Sequence, residues 1–291
     1  MGVIIVNDGS DVLLPQDFLN AYPYKIEYYR NIHAGVSATR NACLNKATAD
    51  YVMFCDADDM FLSNCGLWII FRSINEGEFD VFVSAFSEES FNGETVNYIT
   101  HPNTDATFVH GKVYRRQFLI DKNIYWNPEL TIHEDSYFNC LVRACAGKDK
   151  IKLSDNVFYL WRYRPDSVCR TEKDYLVKTY NHMIKSQTAL IDRLITKGKL
   201  QQAEEVAANM IFRTYFFMNG DNWNDENNLD IKEETVKQFK TFFKKYNPLA
   251  EMLDEKVRNK MWIDLRNKFA NEGLIFEKMT FQMWEDYMKQ G

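Results

Sequence analysis

Residues 35–59 read GVSATRNACLNKATADYVMFCDADD and carry the strongest structural signal in the chain. The part up to residue 47 has the composition of a helix, and residues 51–55 form an apolar run that is typical of a buried strand. Three aspartates follow this strand directly, at positions 56, 58 and 59. Because ligands of open α/β sheets bind just beyond the carboxyl ends of the strands, this order predicts a layered α/β domain with a site here.

Asp56 and Asp58 together are interpreted as a metal or ligand site. Two carboxylates in a D-x-D arrangement supply the oxygen ligands that a hard divalent cation prefers. Three acids within four residues also repel one another unless a cation or hydrogen-bond donors compensate them. The alternative is a polar turn with helix capping, and this interpretation is favoured for Asp59.

Two other polar groups lie at the ends of predicted elements. Asn7 and Asp8 follow the first strand and form either a turn or one wall of a site. Glu134 and Asp135 begin a predicted helix, where acids favour the helix dipole and where one of them can instead act as a general base. Arg40 is either a surface arginine or, beside a diphosphate, a bidentate clamp.

The pattern of predicted elements changes near residue 170. Residues 1–170 alternate between strand-like and helix-like runs, which predicts an α/β domain with a largely parallel sheet. The Asn-Gly pair within residues 90–100 predicts a hairpin or loop. Residues 171–291 hold four stretches with apolar residues at helical spacing, so an all-helical C-terminal region is expected there.

The composition narrows the class of protein. Of 291 residues 46% are hydrophobic, which is enough for a substantial core. The net charge of −6 arises within residues 1–170, which hold 22 acidic and 16 basic residues against 19 of each in the remainder. There is no strong basic stripe, so a nucleic-acid partner is not favoured. The six cysteines lack C-x-x-C spacing and are interpreted as reduced thiols, and no apolar run spans a membrane.

Taken in order, five stretches resemble the family-2 inverting glycosyltransferases with a GT-A fold. They are IIVNDGSD, GVSATRNACLNKATADYVMFCDADD, HGKVYRRQFL, HEDSYF and YLWRYRPDSV. The resemblance covers roughly residues 1–170 and includes no motif in the helical region. It implies a GT-A-like, mostly parallel sheet flanked by helices, a nucleotide-diphosphate-sugar donor and inversion at the anomeric carbon.

By position, the resemblance implies a set of donor-binding residues. Asn7 and Asp8 match residues that contact the base and ribose, and Arg40 lies near the base and diphosphate. Asp56 matches a ribose-binding residue, and Ser167 matches a residue that closes over the phosphates. A UDP-sugar is the donor expected first.

The same resemblance assigns the chemistry to the remaining acids. Asp58 matches the ligand of Mn²⁺ or Mg²⁺ on the diphosphate. Asp135 matches the catalytic base, and Glu134 beside it orients the sugar or the acceptor. His110 and His133 are interpreted as polar loop residues, with approach to the metal as the alternative.

The chain also departs from the family pattern at its beginning. The family normally has one further strand before this one, so the chain starts at the family's second strand. Asn7 stands where the family usually has Asp, and His33 stands where it usually has Asn. The change at position 7 keeps hydrogen-bonding capacity but loses a charge.

The sequence thus predicts a metal-dependent inverting glycosyltransferase that is cytoplasmic, with peripheral association with the membrane as an alternative. The expected acceptor is a surface glycan, a teichoic-type polymer or a lipid-linked sugar. The alternatives are glycosylation of a modified base in phage DNA and a degenerate transferase fold used only for binding. The C-terminal helices are expected to bind the acceptor or to form a homo-oligomer.

Overall fold

The structure, a computed structural model, describes residues 1–63, 65–165, 167, 174–224, 226–273 and 278–290. The chain divides into two compact units, Met1–Ser167 and Val168–Gly291. The α/β class of the first unit and the helical character of the second are confirmed. The roles predicted for the two regions, catalysis for 1–170 and acceptor binding or oligomerisation for 171–291, remain predictions.

The first unit consists of alternating strands and helices. Its strands are β1 (Gly2–Asn7), β2 (Lys25–Arg30), β3 (Tyr51–Met53), β4 (Met60–Phe61), β5 (Val81–Phe91), β6 (Val96–His101), β7 (Lys112–Arg115) and β8 (Ile151–Trp161). Its α-helices are α1 (Gln16–Asn20), α2 (Val36–Lys46), α3 (Cys65–Asn75), α4 (Arg116–Asp121) and α5 (Glu134–Cys145). The helix predicted to end near residue 47 and the helix predicted to begin at Glu134 are therefore confirmed.

The strands form two sheets among the described residues. β1 and β2 pair in parallel as a two-stranded sheet, and the other strands form a sheet of order β3-β7-β5-β8-β4 with β6 beside β5. Only the β1–β2 and β5–β8 pairs are parallel, so the sheet is mixed rather than largely parallel as expected. The connections from β5 to β6 and from β6 to β7 are too short for a crossover helix, whereas α4 and α5 lie between β5 and β8.

The first half of β5 is buried on both faces, from residue 81 to residue 87. This central strand lies between β7 and β8, and its apolar run therefore does not alternate with polar residues. Beyond the buried part, β5 turns into β6 at Asn92, whose side chain accepts from the main-chain N–H groups of Glu94 and Thr95 at 3.0 and 2.8 Å. The predicted Asn-Gly hairpin is thus confirmed.

One apolar cluster joins α3 to the larger sheet. It consists of Ile70, Phe79, Phe82, Phe86, Val113, Phe158 and Tyr159. Gly66 of α3 lies directly against Phe158 of β8, and a Cβ atom at this glycine would be 2.5 Å from the phenylalanine Cβ. The absence of a side chain here is therefore what allows α3 to approach β8.

The second unit is helical throughout its described residues. Its helices are α6 (Tyr175–Thr196), α7 (Leu200–Met218), α8 (Asp221–Asn224), α9 (Leu229–Glu251), α10 (Glu255–Asn271) and α11 (Phe281–Lys289). The centre of the unit is aromatic, with Tyr180 stacked on Phe217 at a centroid distance of 4.2 Å. No helix among the described residues combines the length and the apolar character needed to cross a bilayer.

The sequence misplaced one helix boundary in this unit. The fourth of the stretches with helical spacing covers residues 249–270 and predicts one helix, but α9 continues through Pro248 to Glu251 and α10 begins after Asp254. The carboxylate of Asp254 accepts from the main-chain N–H groups of Lys256 and Val257 at 3.0 and 3.2 Å. This N-cap defines the start of α10, and it lay inside the stretch that had been interpreted as one helix.

Gly66→Ala tests the close approach of α3 to β8. We expect the free energy of unfolding to fall by about 1–3 kcal/mol, because the added methyl group overlaps the ring of Phe158. Urea denaturation monitored by circular dichroism measures the change, and Asn75→Ala, on the exposed side of the same helix, is the control. Equal stability of the two variants would contradict this packing.

Candidate active site

Arg40 gathers three carboxylates that are far apart in the chain. Its guanidinium donates to both carboxylate oxygens of Asp56 at 2.9 and 3.0 Å, to Glu134 at 3.2 Å and to Asp135 at 2.5 Å. Asp56 follows β3, and the other two acids form the first turn of α5. The structure thus brings together the acids predicted at two separate strand and helix ends.

Burial makes this cluster electrostatically strained. The side chain of Arg40 is only 7% exposed and its guanidinium carbon lies 4.5 Å from the centroid of Trp126. Burial opposes the charge of Arg40, but Asp135 and Asp56 together raise its pKa above the ordinary value. Arg40 therefore stays charged, and the surrounding acids depend on it for compensation.

The surroundings of the two acids of α5 raise the pKa of each. Burial raises the pKa of Glu134 to about 7, and the neighbouring charge of Asp135 adds to the effect. Burial also raises the pKa of Asp135, while Arg40 opposes the shift. Because a raised pKa makes a carboxylate a stronger base, the pair suits a proton acceptor.

The backbone at the start of α5 is unusual. His133, the residue before Glu134, has a left-handed conformation with φ of 63°. Such a conformation is uncommon for a residue with a side chain and often occurs at functional sites. Asp135 is also fixed from the opposite side, since the N–H group of Val109 donates to its carboxylate at 3.2 Å.

Asn7 and Asp8 organise the loop at the end of β1. The Asn7 side chain accepts from the Ser10 N–H at 2.7 Å and donates to the Tyr28 hydroxyl at 2.9 Å. The Asp8 carboxylate accepts from the N–H groups of Ala34 and Gly35 at 2.9 and 3.0 Å, so it connects β1 to the start of α2. Burial raises the pKa of Asp8, but the backbone donors outweigh it and the net shift is downward.

Asp58 and Asp59 have different surroundings although they are adjacent. The Asp58 carboxylate is exposed and pairs with Arg164 at 2.9 Å. Asp59 is almost fully buried and accepts from the Tyr159 hydroxyl at 2.6 Å and from the Arg162 N–H at 3.0 Å. Burial raises the pKa of Asp59 to about 6.

His110 lies beside Asp59 within a group of aromatic rings. Its ring is stacked on those of Tyr159 and Trp161, with centroid distances of 4.9 and 5.3 Å. Burial lowers the pKa of His110 to about 3, so the imidazole is neutral. Its Nδ1 atom is 3.6 Å from an Asp59 oxygen and has no hydrogen-bond partner within the described part of the chain.

These side chains fit a divalent cation. Asp56, Asp59 and His110 each offer one ligand atom, and the three atoms lie within 4.8 Å of one another. Two carboxylates and a neutral imidazole with an unused nitrogen form a donor set that Mn²⁺ accepts. The metal role predicted for Asp58 stays a prediction, because its carboxylate pairs with Arg164 in this structure.

Neither Asp59 nor His110 was favoured as a metal ligand from the sequence, although approach to the metal was the alternative for His110. Asp59 was interpreted as a turn residue, and its N–H does donate to the carbonyl of Asp56 at 3.1 Å. The same turn places the Asp59 carboxylate near that of Asp56, a three-residue spacing that was visible in the sequence. His110 had no such signal, because it is 51 residues further along the chain than Asp59.

Ser167 is the predicted site residue with the least structural information. Its N–H donates to the carbonyl of Arg164 at 3.2 Å, at the end of the first unit. Its predicted closure over the phosphates therefore stays a prediction.

A family model matches the part of the chain that contains the acidic site. Residues 2–141 match the family model "Glycosyl transferase family 2". The predicted resemblance to this family is therefore confirmed over residues 2–141, which are just under half of the chain.

Two curated proteins match part of the chain. The chain is 25% identical over 169 residues to the poly(ribitol-phosphate) beta-N-acetylglucosaminyltransferase TarS of two Staphylococcus aureus strains. The match includes 54% of this chain but only 29% of TarS, so the chain spans less than a third of these curated relatives.

Solved structures of TarS share the fold. The structure of S. aureus TarS 1–349 in complex with UDP has a TM-score of 0.61 and 17% identity, with 94% of this chain and 82% of that chain covered. The complex with UDP-GlcNAc gives the same TM-score and identity, with 94% and 83% covered. The predicted GT-A-like fold is thus confirmed.

Arg40→Met tests the dependence of the acidic cluster on one guanidinium. We expect the free energy of unfolding at pH 7 to fall by about 3–5 kcal/mol, because the buried carboxylates lose their partner. At pH 5 the loss should be smaller, since Glu134 and Asp135 take up protons more readily without Arg40.

Urea denaturation at both pH values measures the effect. Arg116→Met is the control, because Arg116 donates at the surface to the Ala49 carbonyl. A loss for Arg40→Met that matches the control at both pH values would contradict the interpretation.

Proposed function

We propose that the protein transfers a sugar, with inversion, from a nucleotide-diphosphate sugar to a hydroxyl group of a teichoic-type polymer. The observation that carries the proposal is the convergence of Asp56, Glu134 and Asp135 on Arg40. This convergence joins the predicted donor-binding acid to the predicted base. A UDP-sugar is the donor that we favour.

The proposed reaction is a single displacement at the anomeric carbon. The acceptor oxygen forms a bond to this carbon while the bond to the diphosphate oxygen breaks, which leaves a nucleoside diphosphate. Asp135 takes the proton from the attacking hydroxyl group, and Glu134 orients the sugar or the acceptor. Arg40 acts as a positioning residue, because its contacts fix Asp135 and Asp56 relative to each other.

A divalent cation, Mn²⁺ or Mg²⁺, is part of the proposal. Asp56, Asp59 and His110 would hold it, with Asp58 as the adjacent ligand predicted from the sequence. When bound, such a cation neutralises the charge that develops on the leaving diphosphate.

The proposed donor and acceptor are supported by the names and bound molecules of the similar proteins. TarS is named for transfer of N-acetylglucosamine to poly(ribitol phosphate), and its solved complexes contain UDP and UDP-GlcNAc. Asn7, Asp8 and Ser167 would contact the donor together with Asp56. Asp8 would then bind the donor while it also accepts from the start of α2. A cytoplasmic, membrane-peripheral site of action accompanies this proposal.

Asp135→Asn tests the catalytic base. We expect turnover to fall by at least about 100-fold, because the amide cannot accept the proton of the acceptor hydroxyl group. Binding of UDP-GlcNAc should change little. Transfer from radiolabelled UDP-sugars to poly(ribitol phosphate) gives the rate, and calorimetry gives the donor affinity.

Asp121→Asn, on the surface at the end of α4, is the matched control. Undiminished turnover of Asp135→Asn would overturn the assignment of the base. Binding of a nucleotide sugar by the wild type without transfer to any hydroxyl acceptor would favour the non-catalytic alternative. Transfer to modified DNA in place of the polymer would favour the phage-DNA alternative.

His110→Phe and Asp58→Asn distinguish the two sets of metal ligands. Phenylalanine keeps the stacked ring but lacks the nitrogen ligand, so we expect His110→Phe to lose the Mn²⁺-dependent rise in melting temperature measured with UDP. His101→Phe is the control, because His101 is stacked on Phe86 in the same aromatic group.

The opposite pattern would identify Asp58 as the ligand in place of His110. In that case Asp58→Asn abolishes the Mn²⁺ response and His110→Phe retains it. A wild-type protein that transfers sugar equally well with EDTA would contradict metal dependence altogether.

A further inference from the structure

A groove of about 1080 Å³ lies along α9 in the C-terminal unit. Among the residues that the structure describes, its lining lies within residues 223–287 of that unit, and α9 supplies most of it. The glycosyltransferase match ends at residue 141, so the family model gives this groove no role.

The groove is rich in lysine. Five lysines line it, at positions 232, 237, 240, 244 and 245, together with two glutamates at positions 226 and 233. The formal charge of these lining residues is therefore 5 − 2 = +3, although the C-terminal region as a whole has balanced charge. The groove is thus locally basic within a region of balanced charge.

The lysines of the groove differ in how far neighbouring groups neutralise their charge. Lys245 donates to the Asp192 carboxylate at 2.9 and 3.1 Å, so its charge is partly neutralised. Lys240 donates to the main-chain carbonyl of Gln290 at 2.7 Å, a contact that fixes its position without cancelling its charge. Lys237 and Lys244 are exposed and lie seven residues apart, so they share one face of the helix.

Two aromatic rings accompany the lysines. The ammonium group of Lys232 lies 6.0 Å from the centroid of Trp223, and that of Lys240 lies 4.4 Å from the centroid of Tyr287. The two lysines are eight residues apart, which corresponds to about 12 Å along the helix axis. The groove therefore repeats one combination, a cation beside an aromatic ring.

We propose that this groove binds a linear polyol-phosphate polymer, the acceptor class of the proposed function, on which this inference rests. Lysine ammonium groups bind the phosphodiesters, and the faces of Trp223 and Tyr287 pack against the carbon chain of the polyol. A repeating arrangement fits a polymer with one anion in every repeat better than a single nucleotide. The groove is thus an acceptor-binding site separate from the donor site.

A charge-reversal pair tests the proposal by direct binding. Lys237→Glu/Lys244→Glu should bind poly(ribitol phosphate) at least about tenfold more weakly than wild type at low salt, with a shallower salt dependence, because fewer counterions are released. Lys256→Glu/Lys260→Glu, two exposed lysines on α10, changes the net charge equally and should retain affinity. Calorimetry gives the affinities, and thermal denaturation confirms that all variants are folded.

A second variant separates the aromatic contribution from charge. Tyr287→Leu should weaken binding of poly(ribitol phosphate) but leave the affinity for inorganic polyphosphate unchanged, since polyphosphate has no carbon chain to pack on the ring. Equal losses for both polymers would contradict the assigned role of the ring.

The remaining outcomes are decisive for the groove. If the groove and control double variants bind poly(ribitol phosphate) with equal affinity, the proposal is overturned. It is also overturned if the protein binds single-stranded DNA of the same charge as tightly as poly(ribitol phosphate). Binding of UDP-GlcNAc is measured on the same proteins and should not change. If the wild type binds the polymer through the groove but transfers no sugar, the proposed function fails while the groove assignment stands.

Discussion

The ion pairs of Arg40 are the interaction on which the candidate site depends. One buried guanidinium contacts the strand end at Asp56 and the helix start at Glu134 and Asp135. Removing three carboxylates from water without a cation would cost several kcal/mol for each charge. The position of α2, which carries Arg40, therefore determines whether these acids can exist as one group. The stacking of Trp126 against the guanidinium adds a second restraint on its direction.

The loops around this cluster are fixed by equally specific contacts. Asp8 accepts from the N–H groups at the start of α2, so the two-stranded sheet is attached to the helix that carries Arg40. On the other side, Asp59 connects the strand end to Tyr159 and to the aromatic group around His110. Acids near the predicted binding sites for the sugar donor and the metal thus also stabilise the loops at this edge of the sheet.

The sequence predicted the secondary-structure elements better than it predicted which strands pair with each other. The apolar runs of β3 and β5 and the helical spacing of α2 and α5 are local patterns, and the structure contains each of them. The mixed order of the larger sheet was not predictable, because β7 pairs with β3 and β5 across long stretches of chain. Similarly, the N-cap at Asp254 was hidden inside an uninterrupted helical pattern, since a capping aspartate looks like any polar residue on a helix face.

The sequence by itself determined the fold class, the resemblance to a family, and the residues Asp56, Arg40, Glu134 and Asp135 as a candidate set, because the motifs carry residue type and order. Only the tertiary structure decided that Arg40 pairs with all three acids and that His110 joins Asp59. The physical reason is that the sequence states which chemical group each residue carries. The partner of a buried charge depends instead on which distant elements pack beside it. Burial, and with it the direction of every pKa shift at the site, arises only when those elements meet.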